Sequence, residues 1–408
     1  MDNGKKTNKY GVLNLLLCAM ILVCVVIILA FLIKGSDQNT EDRPTPTPII
    51  ATAEPTPTPD VTPTGDPTAT PDTTPTGDPT ATPTAAPTPT PGQIGDVLTE
   101  AELAALHVNE AGDIPVVMWH QFSDADSPEY STGTRQYMNS FDYLYDLCER
   151  LYNAGFRLLS MSDYLNNNIT VPAGCKPIVF AFDDGVSSQF SLIEKNGQLE
   201  LNPKCAVYVM QQFANVHPDF GFTGIIYVYL HSTSGVFEGA GTIGQRLNYL
   251  IDLGWEIGNH TYGHRSLRGL SAADISYQLG KNQQVMESYV PGYKFNSLAL
   301  PYGEYDDANV SALISGTYEG ITYENKAIFL VGAEPSHATT SVNFKVFVPR
   351  IRSTGYYAER MDFEWWLENQ PEHYWFVSDG DANTVTCPET WAKYVTNDLP
   401  NGQKLRTY

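Results

Sequence analysis

From about Arg43 to Pro91 the chain is made of little but Thr, Pro, Ala, Asp and Gly, too poor in apolar side chains to form a core. The decamer TPTGDPTATP occurs there twice, at Thr62–Pro71 and Thr74–Pro83. Pro-rich segments of this kind extend as polyproline II at about 3.1 Å per residue, so the stretch could reach on the order of 150 Å. Its repeat has nothing to bury and cannot stack as a solenoid. Any folded domain must therefore lie beyond it.

Upstream, Lys5, Lys6 and Lys9 precede an apolar run from about Gly11 to Ile33, closed by Lys34 and interrupted only by Asn14. At about 1.5 Å per residue, such a helix crosses a hydrocarbon core of roughly 30 Å. The basic flank predicts a cytoplasmic N-terminus and an external C-terminus. No A-x-A pattern closes the apolar run at Ile33, which favours an uncleaved signal-anchor over a signal peptide. The expected organisation is a cytoplasmic N-terminus (1–10), a transmembrane helix (11–33), a disordered Thr/Pro linker (34–97) and one folded domain (98–408). The chain is expected at the cell membrane, single-pass, with its folded domain outside the cell.

The formal net charge of −22 repels phosphate backbones and argues against nucleic acid as a partner. A neutral or N-acetylated polymer remains compatible. The six cysteines include no CxxC pair and read as buried free thiols rather than a disulfide or zinc framework.

Beyond Leu98, short apolar runs alternate with amphipathic segments. Strands are expected at Ile114–Trp119, Arg157–Leu159, Pro177–Phe182, Cys205–Met210, Ile225–Leu230, Trp255–Gly258, Ser297–Leu300, Ala327–Val331, Lys345–Val348 and Tyr374–Val377. In Tyr137–Asn153 the residues Phe141, Leu144, Cys148 and Leu151 recur at helical steps, with Gly155 as a stop. Further helices are expected over Ile243–Leu253 and from the N-cap Ser271 to Tyr289. Val-, Ile- and Phe-rich strands alternating with helices imply a parallel, buried sheet, here an α/β barrel with its chemistry at the C-terminal ends of the strands.

Three strand ends carry polar groups. Phe180-Ala181-Phe182 runs into Asp183-Asp184-Gly185. Trp255-Glu256-Ile257-Gly258 runs into Asn259-His260-Thr261-Tyr262-Gly263-His264. Leu298-Ala299-Leu300 closes in Pro301-Tyr302-Gly303. Each alone is a weak signal, an ordinary turn or a packed histidine. Together, at one barrel mouth, two imidazoles on one helical turn and a carboxylate form a three-ligand site for a divalent cation. Such a cation activates water and polarises a carbonyl. Adjacent side chains at a strand end point apart, so one aspartate can hold the metal while the other serves as general base. The chemistry selected is hydrolysis of an acyl group, amide or ester.

The motifs FDDG, HTYGH and LPYG, in this order, resemble the polysaccharide deacetylases, the NodB-homology or family 4 carbohydrate esterases, from Ile114 to at least Arg350. The resemblance implies a distorted (β/α) barrel of about seven strands. It implies Asp183 as general base, and Asp184, His260 and His264 as ligands to a metal that is usually zinc, sometimes cobalt or nickel. It implies Thr261 as a support for that site and the Tyr302 backbone N–H as an oxyanion donor. Two family features are missing. The arginine that braces the base is replaced by Ala299, and the late Leu-x-His motif has no match. A subgroup with an N-terminal Tyr-His-like motif and a C-terminal PRI segment is similar to this chain at Trp119-His120 and Pro349-Arg350-Ile351. It suggests His120 as the acid and Arg350 as the brace. Of the remaining aromatics, Trp365, Trp366 and Trp375 read as core more readily than as a sugar platform. Ser378-Asp379-Gly380-Asp381 reads as a turn, and Gln211–Thr223 as an insertion between strands.

The expected activity is metal-dependent removal of N-acetyl groups from an extracellular amino-sugar polysaccharide such as peptidoglycan, a chitin-like polymer or poly-N-acetylglucosamine, by a monomeric catalytic domain. The alternatives are an O-acetyl esterase on xylan-like polymers and a degenerate wall-binding module. A glycosidase is disfavoured, because sequence neighbours do not face each other across a glycosidic bond at the required spacing of at least about 5 Å.

Overall fold

The computed structural model describes residues 97–132, 137–232, 235–355, 360 and 362–408. The expected anchor (11–33) and all but the last residue of the linker (34–97) lie outside the described residues. Among the described residues no helix is long and apolar enough to cross a membrane.

The centre is one parallel sheet. Its strands are β1 (Val116–Trp119), β2 (Phe156–Leu158), β3 (Lys176–Asp184), β4 (Ile225–Val228), β5 (Glu256–Asn259), β6 (Ser297–Ala299), β7 (Ala327–Phe329), β8 (Phe347–Val348) and β9 (Ile351–Arg352). Eight of them run in the order β8-β7-β6-β5-β4-β3-β1-β9, and β2 pairs with the start of β3. Neighbours on this path are parallel. The two edge strands, β8 and β9, are separated in sequence only by Pro349 and Arg350. Three virtual Cα bonds reach at most about 11 Å, so the sheet must curl until its edges nearly meet. The result is a curled α/β half-barrel with a seam bridged by Arg350, and with more strands than the seven expected.

The pleat sorts side chains into two layers. Val117, Trp119, Phe180, Phe182, Ile226 and Val228 face outward into a core shared with helices. Val116, Val179, Ala181, Ile225, Tyr227, Ala299, Ala327 and Phe329 form the inner layer. Each fully buried large apolar side chain contributes about 1.5–3 kcal/mol. Asp183 continues the inward parity of Val179 and Ala181, which brings a carboxylate to the inner mouth of the barrel.

The helices follow the sequence closely. In α1 (Phe141–Asn153) Leu144, Leu147, Cys148 and Leu151 are buried, the Ser140 hydroxyl accepts from the Tyr143 N–H, and Gly155 ends the turn at φ 85°. The helix starts later than expected because Met138–Ser140 pairs with Gln121–Ser123. α3 (Ile243–Asp252) opens with a Thr242–Gln245 capping box, and α4 (Ala272–Tyr289) is capped by Ser271.

Three expectations are corrected. Cys205–Met210 is not a strand; it lies in α2, Ala206–Val216. The segment expected as an insertion is the rest of that helix and a 3-10 turn at Pro218–Phe220. Tyr374–Val377 makes only isolated bridges, Trp375 to Asp113 and Val377 to Asn109. Cys148, Cys175, Cys205 and Cys387 are free thiols.

Candidate active site

All three strand-end motifs converge on one mouth. Asp184, His260 and His264 each offer one ligand atom, and these atoms lie within 4.8 Å of one another. Both imidazoles turn Nε2 toward Asp184 Oδ1, at 3.6 Å from His260 and 3.1 Å from His264. The remaining ring nitrogens are engaged: His260 Nδ1 lies 2.9 Å from the Ala299 carbonyl oxygen, and His264 Nδ1 lies 3.3 Å from the Tyr302 hydroxyl. A carbonyl can only accept, so His260 keeps a proton on Nδ1, and Nε2, the nitrogen that faces Asp184, is the one that gives up its proton when a cation binds. Two imidazole nitrogens and a carboxylate, with the tautomer set from outside, fit a small divalent cation.

The imidazoles do not share a helical turn, contrary to expectation. His260–His264 is a loop in which Thr261 (φ 63°) and His264 (φ 49°) adopt left-handed backbone. Asp184 (φ 86°) and Tyr302 (φ 62°) do the same at the other two motifs. Left-handed backbone in non-glycine residues costs roughly 1–3 kcal/mol each and persists only where the surroundings enforce it. At the histidine loop they do so through α4. The Asn259 side chain accepts from Thr261 N–H (3.0 Å) and from Asn282 Nδ2 (2.9 Å). Gln278 Oε1 accepts from Gly263 N–H (3.0 Å), and the Thr261 hydroxyl accepts from Arg265 N–H (3.3 Å).

Asp183 sits in a different environment. Arg350 Nη1 and Nη2 donate to its two oxygens at 2.7 and 2.8 Å, and Arg350 Nε donates to the Leu330 carbonyl at 3.0 Å. Both side chains are buried. The Arg350 guanidinium also lies over the Tyr227 ring, 5.7 Å from its centroid. Gly258 makes room for that ring: a Cβ there would sit 2.3 Å from its carbons. Arg350 thus reaches Asp183 from the seam, while Ala299 supplies a backbone carbonyl to His260.

The electrostatics hold both aspartates ionised, through different partners. Burial pushes the Asp183 carboxyl up, but Arg350 and the neighbouring imidazoles hold it below the ordinary value of 3.8. Burial also opposes ionisation of Asp184, yet hydrogen bonds from His260 and His264 hold it well below that value. Burial alone would depress His260; its bond to Asp184 raises it instead. A cation binding here would displace a proton. His120 is half-buried, with its ring 4.8 Å from that of Tyr137. Desolvation holds its pKa below 6.5 against the pull of Asp183 and Asp184, both near enough to act on it.

Two features were not foreseen. Gln189, fully buried, donates from Nε2 to the carbonyls of His120 and Asp183 and accepts the Gly185 N–H at Oε1 (3.1 Å). It ties the ends of β1 and β3 together, and among Ser187, Ser188 and Ser191 nothing in the local sequence marks it. The second is an aromatic rim: His264 touches Tyr302 and Tyr229, while Tyr262 touches His231 and Tyr277, with ring centroids 5.1–5.9 Å apart. Trp366 and Trp375 are core as expected, and Asp379 is a buried turn residue accepting from Thr384 at 2.8 Å.

Residues 170–320 match the family model described as polysaccharide deacetylase. That match supports an enzyme of the hydrolase class acting on carbon–nitrogen bonds other than peptide bonds. No curated protein matches the chain. Among solved structures, the chain is similar to the Streptococcus pyogenes deacetylase PplD in complex with acetate (16% identity, TM-score 0.47, covering 64% of this chain and 98% of that one). It is also similar to IcaB from Ammonifex degensii (16% identity, TM-score 0.42, 60% and 94%). A third is a de-N-acetylase from Aggregatibacter actinomycetemcomitans (15% identity, TM-score 0.40, 58% and 93%).

Proposed function

We propose that the chain removes acetyl groups from the amino nitrogens of an extracellular N-acetylated amino-sugar polysaccharide, with a divalent cation, zinc foremost, held by Asp184, His260 and His264. The observation that carries this reading is the placement of an Arg350-paired carboxylate, Asp183, beside a three-ligand cluster whose imidazole nitrogens face inward. Bound there, the cation supplies Lewis acidity toward the acetyl carbonyl and makes water easier to deprotonate.

The chain's own groups do the rest. Asp183 accepts the proton of the attacking water, and Arg350 keeps that carboxylate ionised and aimed. The Tyr302 backbone N–H, turned by its left-handed φ, donates to the oxygen on which negative charge develops. His120 delivers a proton to the departing sugar amine. Asp183, His120, Tyr302 and Arg350 thus form the catalytic group of the proposal. A membrane anchor at 11–33 and an extended linker fit a substrate outside the cell, and the acidic net charge fits a polymer without phosphate.

The test is acetate release by the purified full-length chain from N-acetylglucosamine oligomers and, in parallel, from O-acetylated xylan, with bound metal measured. Release from the first, lost on chelation and restored by zinc, supports the reading. Release from xylan alone would move the activity to ester hydrolysis. Full activity in Asp183→Asn would remove the proposed base.

A further inference from the structure

A cavity of about 570 Å³ opens along the seam of the sheet, lined by neither the three ligands nor the Asp183–Arg350 pair. Its volume falls in the range of small-ligand sites, roughly 300–1,000 Å³. One wall is the free edge of β8 and Pro349; another is α5 (Phe363–Asn369) with Tyr374 beyond it.

The aromatic side of this cavity is rigid. Trp366 is buried, and its Nε1–H donates to the carbonyls of Ala333 (3.0 Å) and Arg360 (2.8 Å). Trp365, half-buried, stands edge-on against it at 5.1 Å and 86°. Tyr374, 45% exposed, packs its ring against Trp391 at 5.5 Å. The polar side is also fixed. Asp113 accepts from His337 Nδ1 at 2.7 Å and from Gln370 Nε2 at 3.4 Å. Charge is balanced: Asp113 and Glu334 face Lys345 and Arg360 across the same lining.

Rigid aromatic faces interleaved with carboxylates and carboxamides, without a charge bias, match one kind of ligand. A pyranose ring offers C–H faces to aromatic rings and hydroxyls to carboxylate and amide groups. An anionic ligand would meet Asp113 and Glu334, and a cationic one Lys345 and Arg360. An apolar ligand would strip water from Glu334, Lys345 and Arg360 in the lining without replacing its hydrogen bonds. We propose that this cavity is a second, non-catalytic binding site for a neutral oligosaccharide of N-acetylated sugars, holding a stretch of polymer away from the chemistry. The choice of N-acetylated sugar rests on the function proposed above; the choice of a neutral saccharide rests on the lining alone.

The experiment titrates N-acetylglucosamine hexamer into the full-length chain carrying Asp184→Asn, by calorimetry. The same titration is repeated with Trp365→Ala and Tyr374→Ala added, and with Tyr374→Ala alone. The expected result is binding by the Asp184→Asn chain that the double change weakens by about tenfold or more, the scale of losing an aromatic anchor. Tyr374→Ala, a surface change that leaves the core intact, should weaken it several-fold. Trp365→Phe with Tyr374→Phe should retain binding, because the aromatic faces remain. No binding in the Asp184→Asn chain, or equal affinity in the Tyr374→Ala chain, overturns the proposal. Calorimetry reads binding and not hydrolysis, so absence of acetate release from the unmodified chain would sink the functional reading and leave this one standing.

Discussion

The two sides of the barrel mouth begin one residue apart in the chain and are built on opposite principles. On one side, Asp184 is partly exposed and meets two imidazoles whose Nε2 atoms point at it across 3.1 and 3.6 Å, a geometry open to a cation. On the other, Asp183 is buried and both its oxygens are already taken by one guanidinium, a closed ion pair. The difference comes from strand geometry. Alternation along β3 already sends Asp183 inward and Asp184 to the opposite side, and at Asp184 the left-handed φ of 86° ends the pleat, where its carboxylate meets the two imidazoles. It teaches that the end of a single strand can give two adjacent carboxylates one closed and one open environment.

The largest effect should follow from opening the closed side. Arg350→Ala leaves a buried carboxylate alone, and such losses cost about 3–5 kcal/mol. Chemical denaturation should show that loss together with loss of acetate release, and Arg350→Lys, lacking the fork, should recover little of either. The same pair fixes an acid limb. The folded pKa of Asp183 is lowered, so its stabilisation is present above 3.8 and is lost as pH falls through the folded value below that. Arg350→Ala should therefore move the onset of acid unfolding upward; an unchanged onset would show that the pair does not set it.

On the open side the consequences should divide differently. Asp184→Asn should abolish bound metal and lower turnover by more than the roughly 10–100-fold that loss of an outer partner costs. Its thermal midpoint without metal should also fall, because the bonds from His260 and His264 that hold the carboxyl well below its ordinary value are lost, but by less than in Arg350→Ala, where a fully buried charge is left alone. A midpoint drop as large as that of Arg350→Ala would erase the contrast between the two sides.

A smaller effect should come from the tie beneath both. Gln189→Ala leaves the Gly185 N–H and two carbonyls without their partner, a cost of about 1–3 kcal/mol. Smallest should be Tyr302→Phe. It removes the hydroxyl beside His264 Nδ1 but keeps the backbone N–H, so zinc affinity should fall by about tenfold at most while kcat changes little. A collapse of kcat in this variant would mean that the hydroxyl, not the backbone, touches the substrate.

Much of this arrangement was legible in the sequence where local pattern and tertiary role agree. The apolar run before Asp183 reads as a buried strand and is one, and Ser271 caps its helix as its side chain suggests. Legibility failed where the same pattern serves two structures. Cys205–Met210 is a short apolar run, which periodicity cannot assign between buried strand and helix, and its first residue carries no capping side chain. Of the seam strands, β8 falls within the expected Lys345–Val348, whereas β9, two residues long, lies below any periodic signal. The HTYGH spacing suggested a helical turn, but Asn259, two residues before Thr261, and Gln278 on α4 hold it as a left-handed loop, side-chain contacts that a spacing of histidines does not encode. The resemblance placed Arg350 near the base; only the curl of the sheet explains how a residue 167 positions away reaches it.

The position of Arg350 between the last two sheet strands also orders events during synthesis. A nascent chain that has emerged only as far as β7 already carries Asp183, Asp184, His260 and His264, but not the guanidinium that pairs with Asp183. Pairing of that carboxylate awaits the seam strands, so a product truncated before Arg350 should be less stable than the full chain, a loss that chemical denaturation would read.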